Sequence, residues 1–205
     1  MIIVIIITFN QLKYGFLTVS VLMMIKIAKF FLFILFSVNA TNVLSLELVI
    51  GTERLEPGIT FVFEGAIKDH IIPSSHHLAE EKTHVHIEAR ANWSTDEAPK
   101  GAPHEGFVAY LTISATVTNE VTGLSTFIDL LPHINLIDNY HYARNITLPG
   151  KPDETYTVEF SVSPPSLQAL ALHRDWVENH GKALAEPVRY RYENVDFLAI
   201  TQASR

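Results

Sequence analysis

A series of short apolar runs, separated by turn residues, extends from residue 46 to residue 200 and constrains the fold more than any other feature. Most of the runs alternate apolar and polar residues, as a β-strand with one buried face does. Turn residues such as Glu56-Pro57-Gly58 and Pro149-Gly150 stand between them. The pattern predicts strands at residues 46–50, 60–63, 84–91, 107–117, 124–131, 140–148, 155–162 and 187–200.

Seven or eight short strands without alternating helices are typical of an antiparallel β-sandwich, so we predict an all-β fold. Only residues 166–179 have the composition of a helical turn or two. We predict one domain over residues 46–205, which is long enough to bury a core without disulfides or structural zinc. The chain contains no cysteine.

Residues 1–45 have the layout of a secretory signal. Residues 30–38 read FFLFILFSV, follow Lys26 and Lys29, and precede a small-x-small cleavage site at Val38-Asn39-Ala40. We predict export and cleavage, with translation starting at Met23 or Met24 and residues 1–22 belonging to an over-extended gene start. An uncleaved anchor is the alternative. No run of about 20 clean apolar residues supports it, so we predict no membrane insertion of the mature domain.

The distribution of charge narrows the classes of partner. The formal net charge is −7, but all 22 acidic residues and only 12 of the 15 basic ones lie from residue 46 onward, which gives the predicted domain a net charge of −10. This balance disfavours nucleic acid and anionic membranes and suits cations. The sequence also has no Gly-rich phosphate loop, GxSxG, HExxH or cysteine nucleophile.

The histidines form the one constellation with an evident chemical purpose. All ten lie after residue 69, and residues 83–90 alternate strictly. A strand here would place His84, His86, Glu88 and Arg90 on one face and apolar residues on the other. Such a strand can pack on a core and offer imidazole and carboxylate to a metal ion. Without cysteine, nitrogen and oxygen must hold the ion, with methionine the only sulfur ligand available.

Three more histidines occupy positions from which they can reach a metal ion bound on this strand. His133 ends the predicted strand at 124–131, His141 opens the next one, and His173 follows later in the chain. Residues far apart in sequence meet at one end of a sandwich, where several loops gather. We therefore predict partly exposed ligands at a loop edge.

Residues 83–165 resemble the periplasmic iron-transport proteins that bind copper and iron and work beside an iron permease. The resemblance rests on an ordered set of motifs: His86-Ile87-Glu88-Ala89, Ala109-Tyr110-Leu111-Thr112, Leu131-Pro132-His133, His141-Tyr142-Ala143-Arg144-Asn145, and Pro164-Pro165 followed by Leu172-His173. Their order and rough spacing agree with the family pattern across about 90 residues. Arg144 and Leu172 depart from it.

The resemblance implies a periplasmic, homodimeric, immunoglobulin-like sandwich that binds copper, with iron or manganese nearby, and that serves an inner-membrane iron permease. Carried over by position, His86, His141 and His173 are metal ligands and Glu88 lies at or beside the metal. The family's methionine ligand does not carry over, and its equivalent is His133. Imidazole is harder than thioether, so this change weakens the preference for Cu(I) and favours Cu(II), Zn(II) or Fe(II).

Other histidines are candidates for an auxiliary metal site. His76 and His77 lie in the loop before the strand at 84–91, and His104 is followed by Glu105.

We predict a non-catalytic metal-binding protein that captures iron for the permease and uses copper structurally or for redox chemistry. A copper enzyme of the superoxide dismutase type is one alternative, because His84-Val85-His86 resembles that family's His-x-His strand. A structural or adhesion sandwich with incidental histidines is another.

Overall fold

Residues 47–203 are described in a computed structural model, and they form eight strands with three short helical segments. The strands are β1 (Glu47–Leu55), β2 (Ile59–Ala66), β3 (Val85–Trp93), β4 (Thr112–Asn119), β5 (Ser125–Ile134), β6 (Tyr140–Ile146), β7 (Thr155–Ser163) and β8 (Val188–Asp196). A 3₁₀ turn spans Glu80–Lys82, and the helices are α1 (Arg174–His180) and α2 (Leu198–Gln202). The predicted signal segment and its cleavage site lie outside the described residues.

All strand pairs are antiparallel, in the order β1-β2-β3-β6-β5-β4-β7-β8. Strand β5 belongs to both layers of the fold: its first part pairs with β4 and its last four residues, from Leu131 to Ile134, pair with β6. The two layers enclose one core, so the prediction of an all-β antiparallel sandwich is confirmed. Among the described residues, no helix is long and apolar enough to cross a membrane.

The core lies between the two layers and is built by alternate residues of the strands. Phe61 and Phe63 of β2 are fully buried, and the ring of Phe63 stacks on Phe160 of β7 with a centroid distance of 4.1 Å. The apolar face of β3 is fully buried as the alternation predicted, and its residues are Val85, Ile87, Ala89 and Ala91. One face of β3 is thereby fixed against the core, which assigns the other face to its polar residues.

The strand predicted at 107–117 is wrong in its first part. Strand β4 begins only at Thr112, and Phe107 forms an isolated bridge to Asn92. Tyr110 has a left-handed φ of 67°, which turns the chain and interrupts the extended conformation that the apolar pattern indicated.

The last predicted strand, 187–200, is also too long. Strand β8 ends at Asp196, and helix α2 follows. Five residues from Leu198 are too few for a helical period to be recognised in the sequence. The helical turn predicted within 166–179 is present as α1, which starts at Arg174.

Candidate metal centre

The register of three adjacent strands brings the predicted ligands to one face of the sheet. Glu88 of β3 pairs with Ala143 of β6, and His133 of β5 pairs with His141 of β6. Directly paired residues share a face, as do residues two apart on one strand. His86, Glu88, His133 and His141 therefore project from the same face.

Three imidazoles on this face lie within reach of a single metal ion. One ring nitrogen each from His86, His133 and His141 can be chosen so that all three lie within 4.8 Å of one another. Oε1 of Glu88 is 3.6 Å from Nε2 of His86 and 4.0 Å from Nε2 of His141. Metal–nitrogen bonds of about 2.0–2.1 Å place tetrahedral ligands about 3.3 Å apart, so small side-chain movements would bring this set into coordination.

Three of the four candidate ligands are buried and His133 is partly buried, whereas the sequence predicted a partly exposed site at a loop edge. His86, Glu88 and His141 are 3%, 2% and 2% exposed. Residues 69–73, 76 and 77, in the connection between β2 and β3, line the same pocket of about 610 Å³. The site is therefore on a sheet face beneath a connecting segment, and the expectation of a loop edge is wrong.

Asn145 fixes the orientation and the tautomer of His86. The Asn145 amide nitrogen donates to the carbonyl oxygens of Asp69 and Leu78, at 2.8 and 3.0 Å. Its amide oxygen must therefore accept, and Nδ1–H of His86 donates to it at 2.7 Å. The lone pair of the neutral His86 ring is thus on Nε2, the nitrogen that faces Glu88. A hydrogen bond from the ring nitrogen that does not bind the metal is typical of metal-binding histidines.

His141 is held in the same tautomer by the backbone. Its Nδ1–H donates to the carbonyl oxygen of Asn139 at 3.2 Å, so Nε2 again carries the lone pair and faces Glu88. Asn139 has a left-handed φ of 62° in the turn between β5 and β6. Asparagine tolerates this conformation better than most residues.

Burial keeps His133 and His141 neutral. It lowers the pKa of His133 from 6.5 to about 3, and the neighbouring His86, His77 and His141 lower it further. The pKa of His141 is also lowered, again chiefly by burial. At neutral pH these rings carry lone pairs rather than extra protons, which is the state that binds metals.

The pKa of Glu88 is raised rather than lowered. Burial raises its pKa from 4.5 to about 8, and the nearby carboxylates of Asp138 and Glu64 add to the effect. The metal-free side chain is therefore mostly protonated at pH 7, and a bound cation would replace this proton.

Oε2 of Glu88 and Nε2 of His133 are buried without a hydrogen-bond partner among the described residues. A metal ion would satisfy both atoms.

Arg90 connects this site to the turn between β5 and β6. Its guanidinium donates to Oε1 of the buried Glu64 at 2.7 Å and lies 3.8 Å from Asp138. The positive charge offsets part of the repulsion between these acids and Glu88. The sequence placed Arg90 on the correct face, but it gave no signal for Glu64 or Asp138 as neighbours.

The remaining predicted ligands are distributed differently. His76 and His77 line the pocket, and the ring of His77 contacts His133 edge-on with a centroid distance of 4.9 Å. His84 lies one residue before β3, where its Nδ1 accepts a hydrogen bond from the backbone N–H of Leu148. The strand starts too late for His84 to share the polar face as predicted.

Glu105 and His173 lie elsewhere in the described part of the chain. Glu105 has a left-handed φ of 58° and lines a separate pocket of about 460 Å³ with Arg90 and Asn92. His104 beside it is exposed. His173 is exposed at the N-terminus of α1 and does not line the pocket of the metal centre.

Sequence reasoning did not assign a role to Asn145. The signal was present, because Asn145 follows His141 by four residues on one strand and so shares its face. The partners that fix its orientation are backbone carbonyls of the β2–β3 connection, and strand periodicity gives no information about them.

Comparisons with known proteins identify solved structures of similar fold and a matching family. Copper-reconstituted P19 from Campylobacter jejuni has a TM-score of 0.61 and 26% identity, with 72% of this chain and 94% of that chain covered. A copper-bound glutamate-to-glutamine variant of FetP from uropathogenic Escherichia coli has a TM-score of 0.59 and 22% identity, covering 72% and 95%, and at this identity shows the fold alone. No curated protein matches the chain. The model of the family described as "Fe2+ transport protein" matches residues 44–198, and the chain therefore belongs to that family.

Proposed function

We propose that the protein is a periplasmic, non-catalytic metal-binding protein that binds copper and iron and supports iron uptake by an inner-membrane permease. The observation that carries the proposal is the convergence of His86, His133 and His141 within 4.8 Å beside Glu88. Membership of the Fe2+ transport family and the copper-reconstituted form of P19 support the same proposal.

Copper is the first candidate for the three imidazoles. Among the divalent first-row metals, Cu(II) binds a given set of nitrogen ligands most tightly. Neutral imidazole suits both Cu(II) and Zn(II). His133 supplies nitrogen where the related proteins are expected to supply a thioether, which shifts the preference from Cu(I) toward Cu(II), Zn(II) or Fe(II). Iron or manganese would depend more on Glu88, because harder cations favour carboxylate oxygen.

A homodimer is part of this proposal. Ile134, Leu136 and Ile137 near the turn between β5 and β6 are exposed apolar residues, and Ile134 also lines the metal pocket. Exposed apolar clusters beside a site are typical of interaction surfaces. The family resemblance implies His173 as a ligand, but His173 does not line the pocket of its own subunit, so in the proposed dimer it would come from the second subunit.

A dismutase is the weaker alternative. It depended on His84 and His86 acting together on one strand, but Nδ1 of His84 accepts the Leu148 N–H. Its ring is therefore oriented by a backbone contact, and His84 does not line the pocket that contains His86.

Equilibrium dialysis tests the proposal directly. The purified protein should retain copper at micromolar concentrations, and a variant with His86, His133 and His141 changed to alanine should bind at least a hundred-fold more weakly. His104→Ala is the matched control, because it removes an exposed histidine outside the pocket. Circular dichroism must show that each variant is folded.

Two results would contradict the proposal. One is failure of the unmutated protein to retain copper, zinc, iron or manganese, and the other is unchanged binding by the folded triple variant. Uptake of radioactive iron tests the transport part of the proposal. It is measured in cells that contain the permease together with either the unmutated protein or the triple variant. Unchanged uptake would separate metal binding from iron transport.

A further inference from the structure

A fourth imidazole approaches the metal centre from the connection between β2 and β3. The ring of His77 meets the ring of His133 edge-on at 4.9 Å, with an interplanar angle of 74°. Nδ1 of His77 and Nε2 of His133 are both buried without a hydrogen-bond partner among the described residues. Neither nitrogen is engaged by another group in the described part of the chain, so both can act as ligands to an ion that enters the pocket.

His133 lies between this fourth imidazole and the other ligands. Its ring stacks on His86 with a centroid distance of 5.3 Å and lies 5.8 Å from the ring of His141, while the ring of His77 meets it edge-on. His133 is therefore common to two possible ligand sets, an inner set with His86 and His141 and an outer pair with His77.

The two sets differ in their access to solvent. His86 and His141 are buried, whereas His77 is only half-buried and the adjacent His76 is exposed. Both His76 and His77 line the pocket. An ion that approached from this side would meet His77 before it reached the inner set.

We propose that His77 and His133 form an outer site for a divalent transition-metal ion that prefers imidazole, Cu(II) foremost, and that the ion passes through this site on its way to and from His86 and His141. The inference rests on the proposed metal binding and adds a route to it. Stepwise exchange of ligands avoids moving a bare cation into a buried site, which would be very unfavourable.

The outer pair is suited to transit rather than storage. It offers two imidazoles, whereas the inner set offers three imidazoles and the Glu88 carboxyl. The positive charge of Arg144 acts on both His77 and His133 and disfavours a resident cation there. The pocket of about 610 Å³ has room for water to complete the coordination of an ion in transit.

Exchange kinetics test the outer site. Stopped-flow mixing of the purified protein with Cu(II), and of the copper-loaded protein with a chelator, gives the rates of capture and release. His77→Ala should slow both about ten-fold or more and leave the dissociation constant within about three-fold, because the inner ligands remain. His104→Ala, which removes an exposed histidine outside the pocket, should exchange copper at the unmutated rate. Exchange by His77→Ala at the unmutated rate would overturn the proposal.

A second measurement isolates the outer pair. A variant with His86 and His141 changed to alanine should retain weak Cu(II) binding, with an electron paramagnetic resonance spectrum of two nitrogen ligands. Adding His77→Ala should abolish it. Weak binding that survives this addition would overturn the outer site, and so would its absence in the folded double variant. If that variant does not fold, the kinetics of His77→Ala decide.

The outcomes distinguish this inference from the proposed function. Failure of the unmutated protein to bind metal contradicts the proposed function itself. Tight binding at the inner set, together with unmutated exchange rates in His77→Ala, contradicts the outer site alone.

Discussion

Glu88→Gln should remove a pH dependence of stability from the metal-free protein. Burial and the nearby Asp138 and Glu64 raise the pKa of Glu88 in the folded protein from 4.5 to about 8. Between these two values the folded state binds a proton that the unfolded state has released. Unfolding free energy must therefore fall as pH rises through this interval, and the loss ends once pH passes the folded pKa. Glutamine keeps the shape of the protonated side chain but does not titrate.

The size of the effect follows from the pKa values. One pKa unit corresponds to about 1.4 kcal/mol, so the full shift corresponds to at most about 5 kcal/mol. Between pH 6 and pH 8 the folded Glu88 releases about half of its proton, and the integrated loss over this interval is about 2 kcal/mol. The lowered pKa values of His133 and His141 act in the opposite sense, because stability rises with pH until the unfolded rings have lost their protons, just above pH 6.5. This gain falls partly within the same interval, but it is present in both proteins and cancels in the difference between them.

Urea unfolding at pH 6, 7 and 8, with a chelator present, measures this difference. The unfolding free energy of the unmutated protein should decline by about 2 kcal/mol relative to Glu88→Gln. Calorimetry in buffers of different ionisation enthalpy should also show that metal binding at pH 7 releases about one proton from the unmutated protein and close to none from the variant. Parallel stability curves would refute the assigned pKa of Glu88.

Asn145→Ala should weaken metal affinity about 10- to 100-fold in competition with a chelator, because His86 loses the acceptor that orients it; unchanged affinity would show that Asn145 does not orient the ligand. His133→Met should shift selectivity toward Cu(I) over Zn(II), measured with chelators specific for each ion, and an unaltered ratio would remove His133 from the ligand set. Phe63→Ala should lower the unfolding free energy by about 3–5 kcal/mol in urea, because its ring is fully buried against Phe160, and a loss below about 1 kcal/mol would contradict the described core.

The fold could be predicted from sequence because strand periodicity and turn residues act locally. Alternation along β3 assigned Val85, Ile87 and Ala89 to the core and Glu88 to the other face, as found. The pattern did not show that Tyr110 adopts a left-handed φ, because a tyrosine in an apolar run is equally compatible with a strand. Strand order could not be predicted either, since β5 pairs with both layers and nothing in its own sequence identifies its neighbours.

The site could be predicted in composition but not in arrangement. Sequence reasoning selected His86, Glu88, His133 and His141 from residue type and family resemblance, and the register of β3, β6 and β5 brings these four together. The burial of His86, Glu88 and His141 was missed, because it depends on the β2–β3 connection covering a polar sheet face. Contacts of this kind join segments far apart in sequence, and periodicity carries no information about them.

Anomalous scattering at the copper edge, from crystals of the copper-loaded protein, tests the proposed metal centre most directly. We predict a peak on the sheet face, about 2.0–2.1 Å from one ring nitrogen each of His86, His133 and His141, with a Glu88 oxygen at or near the metal. A copper peak bound elsewhere on the protein, or a loaded protein in which these three imidazoles do not contact the metal, would contradict it.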